Sequence, residues 1–159
     1  LGVLDWFRRD NGKYEQHLRN TARKARQQQD LVNAAGVGLA RLRCHKDTWA
    51  YLADAVAGER HSHGPGRVFR APAAQDISNE GNGMIVVPLS GSSLAALLSF
   101  CRTSQGVIGN WSPLEQAIGQ RTEAAICAAL ERVEPADGDH SDSAVIVLDD
   151  QPAPAKTSV

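Results

Sequence analysis

Gly81-Asn82-Gly83-Met84-Ile85-Val86-Val87-Pro88-Leu89-Ser90-Gly91-Ser92-Ser93-Leu94-Ala95-Ala96-Leu97-Leu98-Ser99-Phe100-Cys101 is the stretch from which the fold is read. It contains no charged residue. Met84 to Pro88 is a short apolar run with β-branched residues, the length of a strand buried on both faces rather than of a helix. Leu89-Ser90-Gly91 turns the chain, and Ser90, Ser92 and Ser93 supply hydroxyls that can cap a following helix. Leu94, Leu97, Leu98 and Cys101 recur at i, i+3, i+4 and i+7, a stripe that faces a core. Pro88, Gly91 and the serines break the run, so a strand-turn-helix is expected instead of a membrane span.

Around this unit the composition is that of a soluble globular chain of 159 residues, 42% hydrophobic and 22% charged. That length is enough for one domain with a real core. Aromatics are only 5%, so helices with small side-chain contacts should dominate the packing. Cys44, Cys101 and Cys127 leave an odd thiol in any pairing, and two of them lie on expected apolar helix faces. Reduced thiols in a cytoplasmic protein are the expectation. The N-terminal residues show no secretory pattern.

The net charge of −1 conceals a division. Through Lys46 the chain carries ten basic and four acidic residues; from Asp47 onward it carries seven and fourteen. The basic third opens with Leu1-Gly2-Val3-Leu4-Asp5-Trp6-Phe7-Arg8-Arg9. This arm is expected to dock Trp6 and Phe7 on protein; a membrane-surface contact through Leu1 to Arg9 is the weaker alternative, since so short an apolar turn buries little area. Asp10-Asn11-Gly12 is read as a break, followed by a long helix from Lys13 to about Arg43. Tyr14, Leu18, Ala22 and Ala25 mark one face, and Val32, Ala35, Leu39 and Leu42 continue it. So thin a stripe on so long a helix calls for another helix or a second subunit to lean on. Arg19, Arg23 and Arg26 share another face with Lys24 beside them, a spacing that can track phosphates or an acidic partner. No aromatic residue interleaves with them, and no DNA- or RNA-binding signature accompanies them.

Thr48 to Ala57 reads as a short second helix with Asp47 as its N-cap, Gly58 as its stop, and Trp49, Leu52, Ala53 and Val56 on its apolar side. With the long helix it would form a helical hairpin. Cys44, His45, His61 and His63 gather zinc-capable side chains around it, but the spacing matches no paired-ligand element, so no metal is expected. Arg67 to Arg70 reads as a short strand and Ala71 to Asn82 as a loop. The serines and glycine at Ser90, Gly91, Ser92 and Ser93 form a possible anion site at a helix N-terminus, although capping alone accounts for them.

Ser112-Pro113-Leu114-Glu115 is a capping box with proline at the first helical position, and it opens a helix running to about Val133. Asp137 to Asp142 lacks the glycine and final glutamate of a calcium loop and reads as a hydrated turn. Ala144 to Leu148 is a last strand, placed beside the Met84 strand. Val107-Ile108 is open between a small strand and simple packing.

The chain is therefore expected to be α+β: an N-terminal helical hairpin, then a small sheet of about three strands packed with two further helices. Residues 1–63 form the basic arm and hairpin, 64–148 a small α/β body, and 149–159 a disordered tail, within one cooperative domain. No nucleophile elbow, H-E-x-x-H or cysteine-centred motif is present, so neither catalytic residues nor a cofactor is assigned. The functional expectation is a non-enzymatic interaction module that self-associates through its long helix, as a homodimer or with a protein partner. The alternatives are nucleic-acid binding through Arg8, Arg9, Arg19, Arg23, Lys24 and Arg26, and a small enzyme whose site follows no known motif.

Overall fold

The structure is a computed structural model, and it describes residues 2–58, 64–106, 110–133 and 144–148, with side chains from Asn11 onward. Among the described residues, four long helices and a four-stranded mixed sheet make an α+β fold. The chain runs α1 (Gly2–Gly36), β1 (Leu39–His45), α2 (Lys46–Gly58), β2 (Ser78–Gly81), β3 (Met84–Ser90), α3 (Gly91–Ser104), α4 (Pro113–Leu130) and β4 (Ala144–Val147). The sheet order is β2-β3-β1-β4. β3 pairs antiparallel with both β1 and β2, while β4 runs parallel to β1.

Helix α1 is unbroken, so Asp10-Asn11-Gly12 does not divide the arm from the remainder of the helix. A single interior glycine costs a helix only about 1 kcal/mol, and the surrounding alanine, arginine, lysine and glutamine residues are good helix formers. The helix ends at Gly36 rather than near Arg43. Beyond it Ala40, Leu42 and Cys44 are buried, while Leu39 and Arg41 are exposed and Arg43 and His45 lie between. That is the period-two pattern of a strand with one covered face. The helical hairpin is thus replaced by helix, strand and helix.

The central unit is the expected strand-turn-helix, except that its strand is not buried on both faces. β3 buries Ile85, Val87 and Leu89, and Ser90 caps α3 by accepting from the Ser93 backbone N–H. Its strand is covered on one side only, because Met84, Val86 and Pro88 lie on the outer face and remain partly exposed. β2 and β3 are joined by Asn82-Gly83, both residues having positive φ (53° and 79°), as a tight primed hairpin turn requires. The fourth strand therefore lies within the expected loop. The expected strand at Arg67 to Arg70 is a 3-10 turn over Pro65–Arg67 instead. Phe69 leaves that turn to pack on Trp49, with ring centroids 6.2 Å apart.

One core serves the whole arrangement. Ala34 and Val37 reach it from the end of α1, Trp49, Leu52 and Val56 from α2, and Leu94, Leu97, Leu98 and Phe100 from α3. Ile126, Ala129 and Leu130 of α4 close it against Ala144, Ile146 and Leu148. Each large aliphatic side chain buried here contributes about 1.5–3 kcal/mol. β4 lies beside β1 and not beside β3; the Arg121 guanidinium donates to the Leu148 carbonyl at 2.6 Å and ties α4 to that edge. Val107-Ile108, Asp137 to Asp142 and the tail at 149–159 lie outside the described residues. Among the described residues no helix is long and apolar enough to cross a membrane.

Two close approaches lock the helices. A Cβ on Gly91 would meet the carbonyl oxygens of Val37, Ala35 and Ala34, the last at 2.9 Å, so the end of α1 sits directly on the start of α3. A Cβ on Gly119 would collide with the Ser104 hydroxyl, which brings α4 against α3. At the start of α4 the Ser112 hydroxyl accepts from Glu115 N–H while the Glu115 carboxylate accepts from Ser112 N–H at 2.7 Å.

Gly91→Ala is expected to cost stability at the upper end of the ~1–3 kcal/mol seen for overpacking, because backbone oxygens cannot move aside. Urea unfolding measures it, and a loss under about 0.5 kcal/mol would contradict the contact. Hydrogen bonding to the backbone and hydroxyl of Ser112 holds the Glu115 carboxyl below its ordinary range. Its contribution is therefore complete above the unfolded-state pKa and is lost as pH falls through the lower folded value. The difference in melting temperature between wild type and Glu115→Gln should accordingly be largest near neutrality and vanish in acid.

Candidate interaction site on the N-terminal helix

Helix α1 presents two opposed faces. Toward its C-terminal end Gln27, Asp30, Leu31 and Ala34 turn to the body, and only these positions lose exposure along the stretch from Asn11 to Ala34. Every residue from Asn11 to Arg26 is exposed. At 100° per residue, Tyr14, Leu18, Ala25 and Val32 fall on the side opposite the body-facing set. Tyr14 is 64%, Leu18 49% and Val32 55% exposed. Val32 stays exposed even where the helix is packed, so the apolar stripe is a surface separate from the one that anchors α1.

The anchor is electrostatic at one end and steric at the other. α1 and α3 run antiparallel: Gly91 at the start of α3 meets Ala34 to Val37, and Arg102 in its last turn meets Gln27 and Asp30. The Arg102 guanidinium donates to Glu123 Oε1 at 2.7 Å, to the Gln27 carbonyl at 2.6 Å and to Asp30 Oδ2 at 2.6 Å. Its side chain is 14% exposed, and the two carboxylates are 23% and 22% exposed. Burial alone would disfavour the guanidinium charge; the bonds to Glu123 and Asp30 outweigh it and raise the pKa above its ordinary value. Gln105 holds the other Glu123 oxygen at 2.6 Å. Three helices are thus joined through one cation. The Cys127 thiol beside it is pushed up by burial and by the Asp30 charge, while burial and the Glu123 charge raise Cys101 to about 12. Neither is an activated thiol.

A cleft of about 510 Å³ lies over this clamp, edged by Arg23 and Arg26 on one side and by Glu123 and Glu131 on the other. The Arg19/Arg23/Arg26 row therefore occupies the side of α1 that turns toward α3 and α4. Arg26 is 3.4 Å from Glu131, and Arg19 is 3.8 Å from Glu15. Lys24 is exposed and edges a shallow groove on the other flank, near Ser99 and Thr103. Arg8 and Arg9 continue the same helix, but their side chains are outside the described set.

The remaining sequence candidates disperse. Ser90 caps α3, and buried Ser93 exchanges hydrogen bonds with the backbone of Arg70 at 3.0 and 3.1 Å. Gly91 faces the last carbonyls of α1, whose partial negative charge satisfies the helix terminus that an anion would otherwise seek. Ser92 is exposed and bonds Ser90 at 3.2 Å. Cys44 is fully buried on the inner side of β1. His45, the next residue along the strand, points to the other side, where its Nδ1 accepts from Asp47 N–H at 3.3 Å. The two cannot meet one ion. His61 and His63 lie outside the described residues. Among the described residues no three metal-capable side chains converge, and the Tyr51 hydroxyl is the one buried side-chain polar atom without a partner.

Among the described residues nothing covers the outer side of the sheet. Val145 and Val147 are 55% and 49% exposed, flanking Arg41 and Arg43 on the central strand. Arg43 pairs with Glu80 across the sheet. No known protein family, curated protein or solved structure matches the chain.

Arg102→Met leaves Asp30 and Glu123 without their shared cation in a mostly dry site. A loss of about 2–4 kcal/mol is expected in urea unfolding. Adding Asp30→Asn and Glu123→Gln to that variant should recover part of it; failure to recover any would mean that the clamp is packing and not charge.

Proposed function

We propose that this protein is an interaction module that self-associates through the outward face of α1. The observation that supports this reading is the stripe of Tyr14, Leu18 and Val32, exposed along a 35-residue helix whose opposite face is already used. Residues 11–22 stand off the body for about 18 Å at 1.5 Å per residue. An isolated helix of that length is marginal in water, and an apolar stripe gains most by packing on a like stripe. Two copies meeting there would carry their bodies on the far sides, clear of each other. The arginine row adds less to a nucleic-acid reading, because it turns toward Glu123 and Glu131 and two of its members lie beside carboxylates.

Sedimentation velocity over a concentration series reaching about 100 µM tests this, since a micromolar dissociation constant would leave the chain mainly dimeric there. Leu18→Asp should shift the wild-type dimer to monomer, weakening association at least tenfold for the ~1.5–3 kcal/mol that each leucine buries. At dilutions where wild type is monomeric the unfolding midpoint should not differ between the two. Arg19→Gln, Arg23→Gln and Arg26→Gln together should leave the dimer intact. A wild-type chain that stays monomeric across the series would refute the proposal, and salt-sensitive retention of a labelled duplex by that monomer would favour the phosphate-contact alternative.

A further inference from the structure

We infer that the cleft between α1, α3 and α4 binds a short zwitterionic peptide of about three residues. Its terminal ammonium would meet Asp30 and Glu123 at the floor, and its terminal carboxylate would meet Arg23 at the rim. The cleft is on the body side of α1, so the inference does not depend on self-association through the opposite face. Its volume of about 510 Å³ is that of a small-ligand site.

Charge sets the class of ligand. At the floor a single guanidinium, that of Arg102, stands between the two carboxylates of Asp30 and Glu123, which leaves one negative charge in excess. Asp30 Oδ1 accepts no hydrogen bond among the described residues, and both carboxylates line the cleft. An ammonium would find acceptors there. After burial, the Asp30 charge does most to push the Cys127 thiol up, and it outweighs Arg102. At the rim the excess is positive. Arg26 and Glu131, 3.4 Å apart, offset each other, whereas Arg23 has no partner among the described residues. A free guanidinium suits a carboxylate, which it can hold with two parallel bonds. A phosphate or dicarboxylate would set a charge against the floor, and a diamine would set one against Arg23. A zwitterion satisfies both ends.

Spacing and lining narrow the zwitterion to a peptide. Arg23 and Asp30 lie two turns apart on one helix, about 10.5 Å along its axis, and three extended residues span about 10 Å. The walls carry amides. The side chains of Gln27 and Gln120 have no partner among the described residues, and Asn33 keeps its Nδ2 after Oδ1 accepts from Gln29. These groups match the N–H and C=O of peptide bonds. An alkyl chain of the same length would leave them unpaired, with little besides Ala124 and Leu130 to touch.

Calorimetric titration of the whole chain with trialanine, N-acetyl-trialanine and trialanine amide at low ionic strength tests this. Trialanine should bind with a dissociation constant of about 1 mM or tighter, and blocking either end should weaken it about tenfold. Arg23→Gln should weaken trialanine by a similar factor and leave the affinity for the amide unchanged. Its melting temperature should match wild type, because Arg23 holds nothing else in place. Leu18→Asp should bind trialanine as wild type does, whether or not wild type is a dimer. No binding of trialanine up to about 10 mM would overturn the inference. So would an amide or acetylated peptide that binds as tightly as the free one.

Discussion

The missing side chain at Gly91 is the constraint on which the arrangement of the helices depends. Because nothing projects from it, the last carbonyls of α1 come into contact with the first turn of α3. Partial negative and partial positive helix ends then face each other at close range. Three turns further along, Arg102 fixes the same pair of helices a second time through Gln27 and Asp30. Two points define a line, so the direction in which α1 leaves the body is set by one glycine and one arginine on a single short helix. The third partner of Arg102, Glu123, extends the constraint to α4.

This arrangement explains why α1 divides its labour by face. Asp30 and Ala34 are consumed by the body, whereas Leu18 and Val32 stay open to solvent. The arginine row lies between these extremes, close to carboxylates but still exposed. The sheet is likewise one-sided, with aliphatic residues inward and an outer face on which Arg41 and Arg43 occupy the central strand. Two such faces laid together would bring these arginines toward one another, which makes the sheet a poor self-contact compared with the helix.

Much of this was legible in the sequence, and the failures have definite causes. The strand-turn-helix from Met84 to Cys101 and the capping box at Ser112 are local signals, and both hold. β1 was hidden because Leu39 and Leu42 continue a helical spacing as well as Ala40, Leu42 and Cys44 fit an alternation with Arg41 and Arg43. The glycines at Gly36 and Gly38 were the deciding residues. Asn82-Gly83 marked a tight hairpin outright, yet the polar stretch before it reads as loop, since Ser78-Asn79-Glu80 buries nothing. The grouping of Arg19, Arg23 and Arg26 on one face was readable; that this face looks toward Glu131 was not. The clamp was invisible for the same reason: Arg102 and Asp30 are brought together only by the tertiary fold, and neither belongs to a motif.

The position of β1 in the middle of the sheet sets the order in which the chain can assemble. Its neighbour β3 arrives already joined to β2 by a two-residue turn and to α3 without a linker, so those pieces can form locally. β4 must instead close a loop of about a hundred residues to lie parallel to β1, the most expensive pairing in the sheet by chain entropy. Until it does, Ala40 and Leu42 lack their outer neighbour, and the edge of β1 is an unpaired strand. Folding speed should therefore be governed at the C-terminal end, far in sequence from the helix that distinguishes the protein.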